Sequence, residues 1–324
     1  MKDSVVSFFK RYDEIEKLVL DQQMDYFQDK LQEFEGDDKT YEEFVLDQVL
    51  AKAREQMLSM EEAPAEELGG KSLKQYLEEI SLAELIEIQD YCAAELDSEV
   101  PFSVIDAVAA YEDRNEVIKT ATEAIENASW TEEELAATED GEDKLFELEF
   151  NKVKAWFDVL IKLGYSDLTE GVIDRFMSYE LTREFVAESV SKYVEAFPDV
   201  SIPMIISRLD ANKDNGIKGP CEDLVMMLAA IGREVKNDDI YMALKSAFRY
   251  MENKIYAVIC LGEYGDGRAV PMLKGYVNRH QDTIERDVFY EILSAVQKLG
   301  GDISDIQDPF RDFDKNGNLL NGED

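Results

Sequence analysis

A run of residues near the end of this 324-residue chain has the types and spacing to hold a cation. Asp312, Asp314, Asn316, Asn318 and Glu323, with Gly317 at the bend and apolar Leu319 at the eighth position, follow the D-x-[DN]-x-[DN]-G pattern of an EF-hand loop. Ca²⁺ favours clustered hard oxygens, and Gly317 permits the tight turn that gathers them. Only Asp324 follows Glu323, so no exiting helix within the sequence fixes that carboxylate as a bidentate ligand, and Pro309 interrupts the entering helix. The competing expectation is a polar tail over residues 303–324. A related loop, Asp210-Ala211-Asn212-Lys213-Asp214-Asn215-Gly216-Ile217, has alternating oxygen ligands, but Cys221 stands where the last ligand is needed. It is expected to be a turn between helices, with Pro220 opening the next one.

A second group is cationic: Arg268, Lys274, Arg279, His280 and Arg286. Converging on one concave surface they would grip an anionic backbone; spread over two solvated helix faces they would not, and the latter is expected in so acidic a chain. His280, the one histidine, follows Asn278-Arg279 and is expected at a helix C-terminus, where its partial charge suits the dipole. Gly262, Gly265 and Gly267 spell G-x-x-G-x-G rather than the dinucleotide fingerprint, with no strand before them, and read as turn glycines. Cys92, Cys221 and Cys260 are odd in number, widely spaced and set in apolar stretches, which predicts reduced core thiols. No catalytic residue is assigned.

The elements that must position these groups are helices. From Asp3 to Glu35, Val6, Phe9, Tyr12, Ile15, Val19, Met24, Phe27 and Leu31 recur at mostly three- and four-residue steps, an amphipathic stripe. Thr40 with Glu43, Ser81 with Glu84 and Thr131 with Glu134 are capping boxes. Ile80 with Leu85 and Trp130 with Leu135 form hydrophobic staples around the last two. Residues 61–71 combine acids, Pro64 and Gly69-Gly70, which suits a solvated linker. After the acidic stretch Glu132 to Asp143, Leu145, Phe146, Leu148, Phe150, Val153, Trp156, Phe157, Leu160 and Ile161 crowd one helix face, and a repeat array is expected to begin there.

From that point an apolar helix repeatedly ends in an aliphatic residue plus glycine: Leu163-Gly164, Ile231-Gly232, Leu261-Gly262 and Leu299-Gly300. The spacings of 68, 30 and 38 residues fit one double and two single helix-pair repeats, each glycine supplying the left-handed residue that stops its helix. The stretch Tyr256-Ala257-Val258-Ile259-Cys260-Leu261-Gly262-Glu263-Tyr264-Gly265-Asp266-Gly267-Arg268-Ala269-Val270-Pro271-Met272-Leu273 resembles the HEAT-like repeat named after phycobilisome lyases. The resemblance is clearest over residues 254–283. It implies an all-α helix-pair array, a HEAT-like α-solenoid, over residues 145–302, preceded by an acidic helical region 1–144. Proteins with such repeats include binding scaffolds, bilin lyases, alkylpurine DNA glycosylases and a di-iron hydroxylase, so the repeat implies architecture more than activity. The hydroxylase needs several histidine–glutamate pairs, against a single histidine here; the glycosylases use a basic groove, for which Arg268, Lys274, Arg279 and Arg286 are the only candidates.

The formal net charge of −38 makes nucleic acid and anionic membrane surfaces poor partners. Residues 1–150 hold 42 of the 72 acids against 13 of the 34 bases, so the acidity lies mainly in the N-terminal half, where it serves either solubility or the docking of a basic partner. No apolar segment approaches the length of a membrane span or a signal sequence, which predicts a cytoplasmic protein. The leading expectation is a non-enzymatic scaffold or adaptor that recognises a protein or peptide on the concave face of its repeats and needs no cofactor. The alternatives are an enzyme using the repeat groove, of lyase or base-glycosylase type, and a calcium-responsive adaptor working through the C-terminal loop.

Overall fold

The computed structural model describes residues 1–28, 38–97, 99–128, 143–178 and 184–310. The chain is all-α, 77% helical with 15 α-helices and no strand among the described residues. It divides into two compact units, residues 1–166 and 167–324.

The first unit holds α1 (Asp3–Gln28), α2 (Asp38–Glu62), α3 (Leu73–Leu77), α4 (Leu82–Glu95), α5 (Phe102–Ala109), α6 (Arg114–Asn127) and α7 (Asp143–Leu163). Helix α1 lies along α2 and buries Phe9, Tyr12 and Val19 of the expected stripe; Val5 and Phe8, outside that stripe, are also buried, whereas Val6 and Ile15 are half-buried and Met24 is exposed. Helix α4 starts at the expected box: the Ser81 side chain accepts from Glu84 N–H, and the Glu84 carboxylate accepts from Ser81 N–H. A second box, Ser72 with Gln75, opens α3 and was not anticipated. The boxes at Thr40 and Thr131, with Trp130, lie outside the described side chains.

Two expectations for this unit are corrected. Residues 61–71 are not a solvated linker. Glu61, Ala65 and Leu68 are buried, and the Ala65 and Lys71 backbones pair across a tight turn, because the two apolar side chains give the turn a face to bury. Helix α7, expected to open the repeat array, packs instead on α4, α5 and α6, with Val153, Trp156, Phe157 and Leu160 buried. It completes the N-terminal core, since three short helices leave an apolar face that a long one covers.

The second unit contains α8 (Thr169–Met177), α9 (Glu184–Ala196), α10 (Pro198–Asn212), α11 (Pro220–Glu234), α12 (Asp238–Tyr250), α13 (Lys254–Tyr264), α14 (Val270–His280) and α15 (Arg286–Lys298). They form two rows. Helix α9 packs on α11, α11 on α13 and α13 on α15; in the other row α8 packs on α10 and α10 on α12, while Phe248 meets Tyr276 across the gap to α14 at 5.1 Å. Contact with the next helix and the next but one is the pattern of a helical repeat array.

The glycine rule holds at Gly164 and Gly300, both left-handed, and fails at Gly232 and Gly262, which lie inside α11 and α13. Gly265, with φ of 74°, ends α13 instead. Gly232 is there for space: a Cβ would sit 2.6 Å from the Tyr264 ring, so this position lets α11 and α13 approach. The region from residue 303 is also not all tail. Phe310 packs on Phe289 at 5.7 Å and Tyr290 at 6.2 Å, and the Tyr290 hydroxyl donates to Asp308.

Candidate functional site

A concave surface of about 960 Å³ in the second unit runs between α10 and α12, neighbours in one row. Pro198 opens α10, where its fixed φ suits a helix start. The buried Ser201 hydroxyl lies 2.8 Å from the Val194 carbonyl and 2.9 Å from that of Phe197, tying α10 to the end of α9. The start of α12 is held twice: Asn237 accepts from Ile240 N–H at 2.8 Å, and the Tyr264 hydroxyl donates to the Asn237 carbonyl at 2.7 Å. Beyond the helix ends, Ile217 pairs with Met251, its N–H bonding the Tyr250 carbonyl at 3.0 Å. The C-termini of α10 and α12 therefore lie together, and the helices run the same way.

Ile205 of α10 and Ile240, Leu244 and Ala247 of α12 turn into the core. That leaves Pro203, Ile206, Met242 and Ala243 along the groove, and Met242 is 56% exposed. Asp199 and Asp239 stand at the N-terminal end, and Asp210, paired with Lys213 at 3.1 Å, at the other. The floor is mainly apolar between acidic ends, with Ser207, Ser246 and Asn237 also on the lining. It offers apolar contact with cation recognition at its ends.

The polar candidates elsewhere are engaged in the fold. Glu61, 1% exposed, accepts from the Tyr12 hydroxyl at 2.9 Å, from Ser103 N–H at 3.1 Å and from the Ser103 hydroxyl, so it caps the first turn of α5. Burial and the neighbouring Glu61 push the Tyr12 phenol well above its usual range, so it stays a donor. Burial also raises the thiols of Cys92 and Cys221 and takes Cys260 to about 12; these free thiols are core residues rather than nucleophiles. His280 ends α14, with Nδ1 2.8 Å from the Tyr276 carbonyl and its ring stacked on Tyr276.

Two members of the cationic group are committed to internal ion pairs. Arg268 binds Asp266 and Asp238 and lies 4.2 Å over the Tyr241 ring, while Lys274 holds Asp305 at 2.5 Å and the Asp302 carbonyl at 2.9 Å. Arg279 and Arg286 are exposed, in the last turn of α14 and the first of α15. In the Asp210 loop, Asn212 donates to the Arg208 carbonyl and Gly216 turns at φ of 84°, as expected of a turn between helices. Asp312, Asp314, Asn316, Asn318 and Glu323 lie outside the described residues. The groove residues were missed from the sequence; the available signals were Pro203 inside a helix and Met242 off the apolar stripe of α12.

No helix among the described residues is long and apolar enough to cross a membrane. Compared with family models, curated proteins and solved structures, the chain matches none.

Proposed function

We propose that this protein is a helical-repeat scaffold of the HEAT-like α-solenoid kind, whose second unit recognises a protein or peptide in the groove between α10 and α12. The observation that carries the proposal is the groove itself: exposed Met242, Pro203 and half-exposed Ile206 between Asp199 and Asp239 at one end and Asp210 at the other. Its size, about 960 Å³, is at the upper end of sites for compact small molecules and suits a row of side chains. Further support comes from the two-row packing, in which backbone and core supply a rigid surface while neighbouring helices leave a furrow between them. The carboxylates of Asp199, Asp239 and Asp210 at the ends of the groove favour a partner of basic character.

The test is selection of a random peptide library on the full-length protein, followed by binding measurements on the full-length Met242→Glu and Ile206→Glu variants. Both positions face solvent at least in part, so the variants are expected to keep the wild-type melting temperature and to lose the selected peptides by tenfold or more, about the effect of 1.4 kcal/mol. Selected peptides that bind both variants as tightly as wild type would place recognition elsewhere and end the proposal.

A further inference from the structure

The two ends of the groove differ, and the difference concerns which cation is recognised. Pro203 lies inside α10 and has no N–H, so the Asp199 carbonyl four residues earlier receives no helical hydrogen bond from it. Residues four apart share a helix face, and Asp199 and Pro203 both line the groove. At this end the groove is therefore lined by the Asp199 carboxylate and, because α10 and α12 run the same way, by the Asp239 carboxylate, beside the apolar Pro203 ring. Two full negative charges outweigh the partial positive charges of two helix N-termini. At the opposite end Asp210 already shares its charge with Lys213.

Resting on the docking function proposed above, we infer that the groove takes a short amphipathic helix that places an arginine at the Asp199–Asp239 end. A planar guanidinium has five donors in a fixed fork and reaches several separate acceptors at once, whereas an ammonium is a compact point charge. A helix, rather than an extended chain, is the occupant because the groove offers few side-chain partners, among them Ser207, Ser246 and Asn237. An extended backbone would bring donors and acceptors that the apolar floor leaves unpaired; a helix satisfies its own. From Asp199 to Asp210 the groove runs about 16 Å, roughly three helical turns. The occupant thus needs apolar side chains at three- and four-residue steps on one face, with the arginine one turn beyond the first of them.

The experiment uses the full-length protein and a labelled synthetic helical peptide of about fourteen residues built to that pattern, read by fluorescence anisotropy. Companion peptides carry lysine or the neutral isostere citrulline in place of the arginine, or alanine in place of the leucines. The arginine peptide is expected to bind about tenfold more tightly than the lysine peptide and more tightly still than the citrulline one, with the alanine peptide failing to bind. The Asp199→Asn/Asp239→Asn protein should lose the preference for arginine while still binding the leucine face, and Met242→Glu should bind none of the peptides. Equal binding of the arginine, lysine and citrulline peptides, all lost in Met242→Glu, would overturn the arginine assignment and leave the docking groove standing. Binding that Met242→Glu does not affect would overturn both. If library selection yields groove-bound peptides that are extended or lack arginine, the inference falls and the broader proposal survives.

Discussion

Single residues in this chain are kept by what surrounds them, and three carry sharp expectations. Gly232 faces the Tyr264 ring so closely that Gly232→Ala must push α11 and α13 apart or turn the ring; the expected loss is about 1–3 kcal/mol, read as a shift in denaturant midpoint. Glu61 anchors donors from α1 and α5, so Glu61→Ala leaves the buried Tyr12 hydroxyl and the Ser103 N–H unpaired and should cost about 2 kcal/mol or more. Gln89 in α4 is fully buried, and neither end of its amide has a hydrogen-bond partner among the described residues. Gln89→Met keeps the volume and removes the polar atoms, and is expected to raise stability by about 1 kcal/mol. A loss of that size instead would show that the amide is held in solution. The sequence shows why Glu61 was misread: its neighbours Glu62, Pro64 and the paired glycines have the composition of a loop, and nothing local reveals that Tyr12 lies across from it.

At the scale of elements, the sequence was most legible where a rule is local. The Ser81 box, the opening of α11 at Pro220 and the burial of Phe9, Tyr12 and Val19 along α1 depend on residues a few positions apart, and all appear in the structure. It was least legible where the outcome depends on a distant partner. Leu261-Gly262 has the local form of a helix stop, yet α13 continues to Tyr264, since packing on α11 and α15 stabilises another turn and Gly265 takes the left-handed position. Helix α7 was assigned to the wrong neighbours for the same reason: its apolar face is plain in the sequence, but the helices that cover it are not. A charge ladder joins three elements. Arg233 of α11, Glu263 of α13 and Lys298 of α15 line up across one row, and the hydrogen bond from Lys298 holds the Glu263 carboxyl below the usual carboxylate range. A carboxyl lowered on folding contributes stability above its unfolded pKa, which is lost as pH falls through the folded value. Glu263→Gln should thus be less stable than wild type at neutral pH by about 0.5 kcal/mol, with the two melting curves converging below about pH 4.

For the molecule as a whole, the excess of 72 acids over 34 bases sets a background that every local interaction works against. Self-repulsion of that size opposes the compact state and is screened by salt, so the melting temperature is expected to rise between about 20 mM and 0.5 M sodium chloride. Binding of a basic peptide should weaken over the same range; a melting temperature that falls with salt would mean that the ion pairs outweigh the repulsion. The two-row packing of the second unit has one further consequence. Each inner layer is covered by the next pair of helices, whereas on α15 the aromatic pair Phe289 and Tyr290 is met by Phe310, brought back onto both rings. That short segment acts as a stopper. A stack built by adding like layers to like has no intrinsic length, and Phe310 covers part of the α15 surface on which one more layer would pack. Phe310→Ser should give a sedimentation profile that shifts to larger species as concentration rises, relative to wild type.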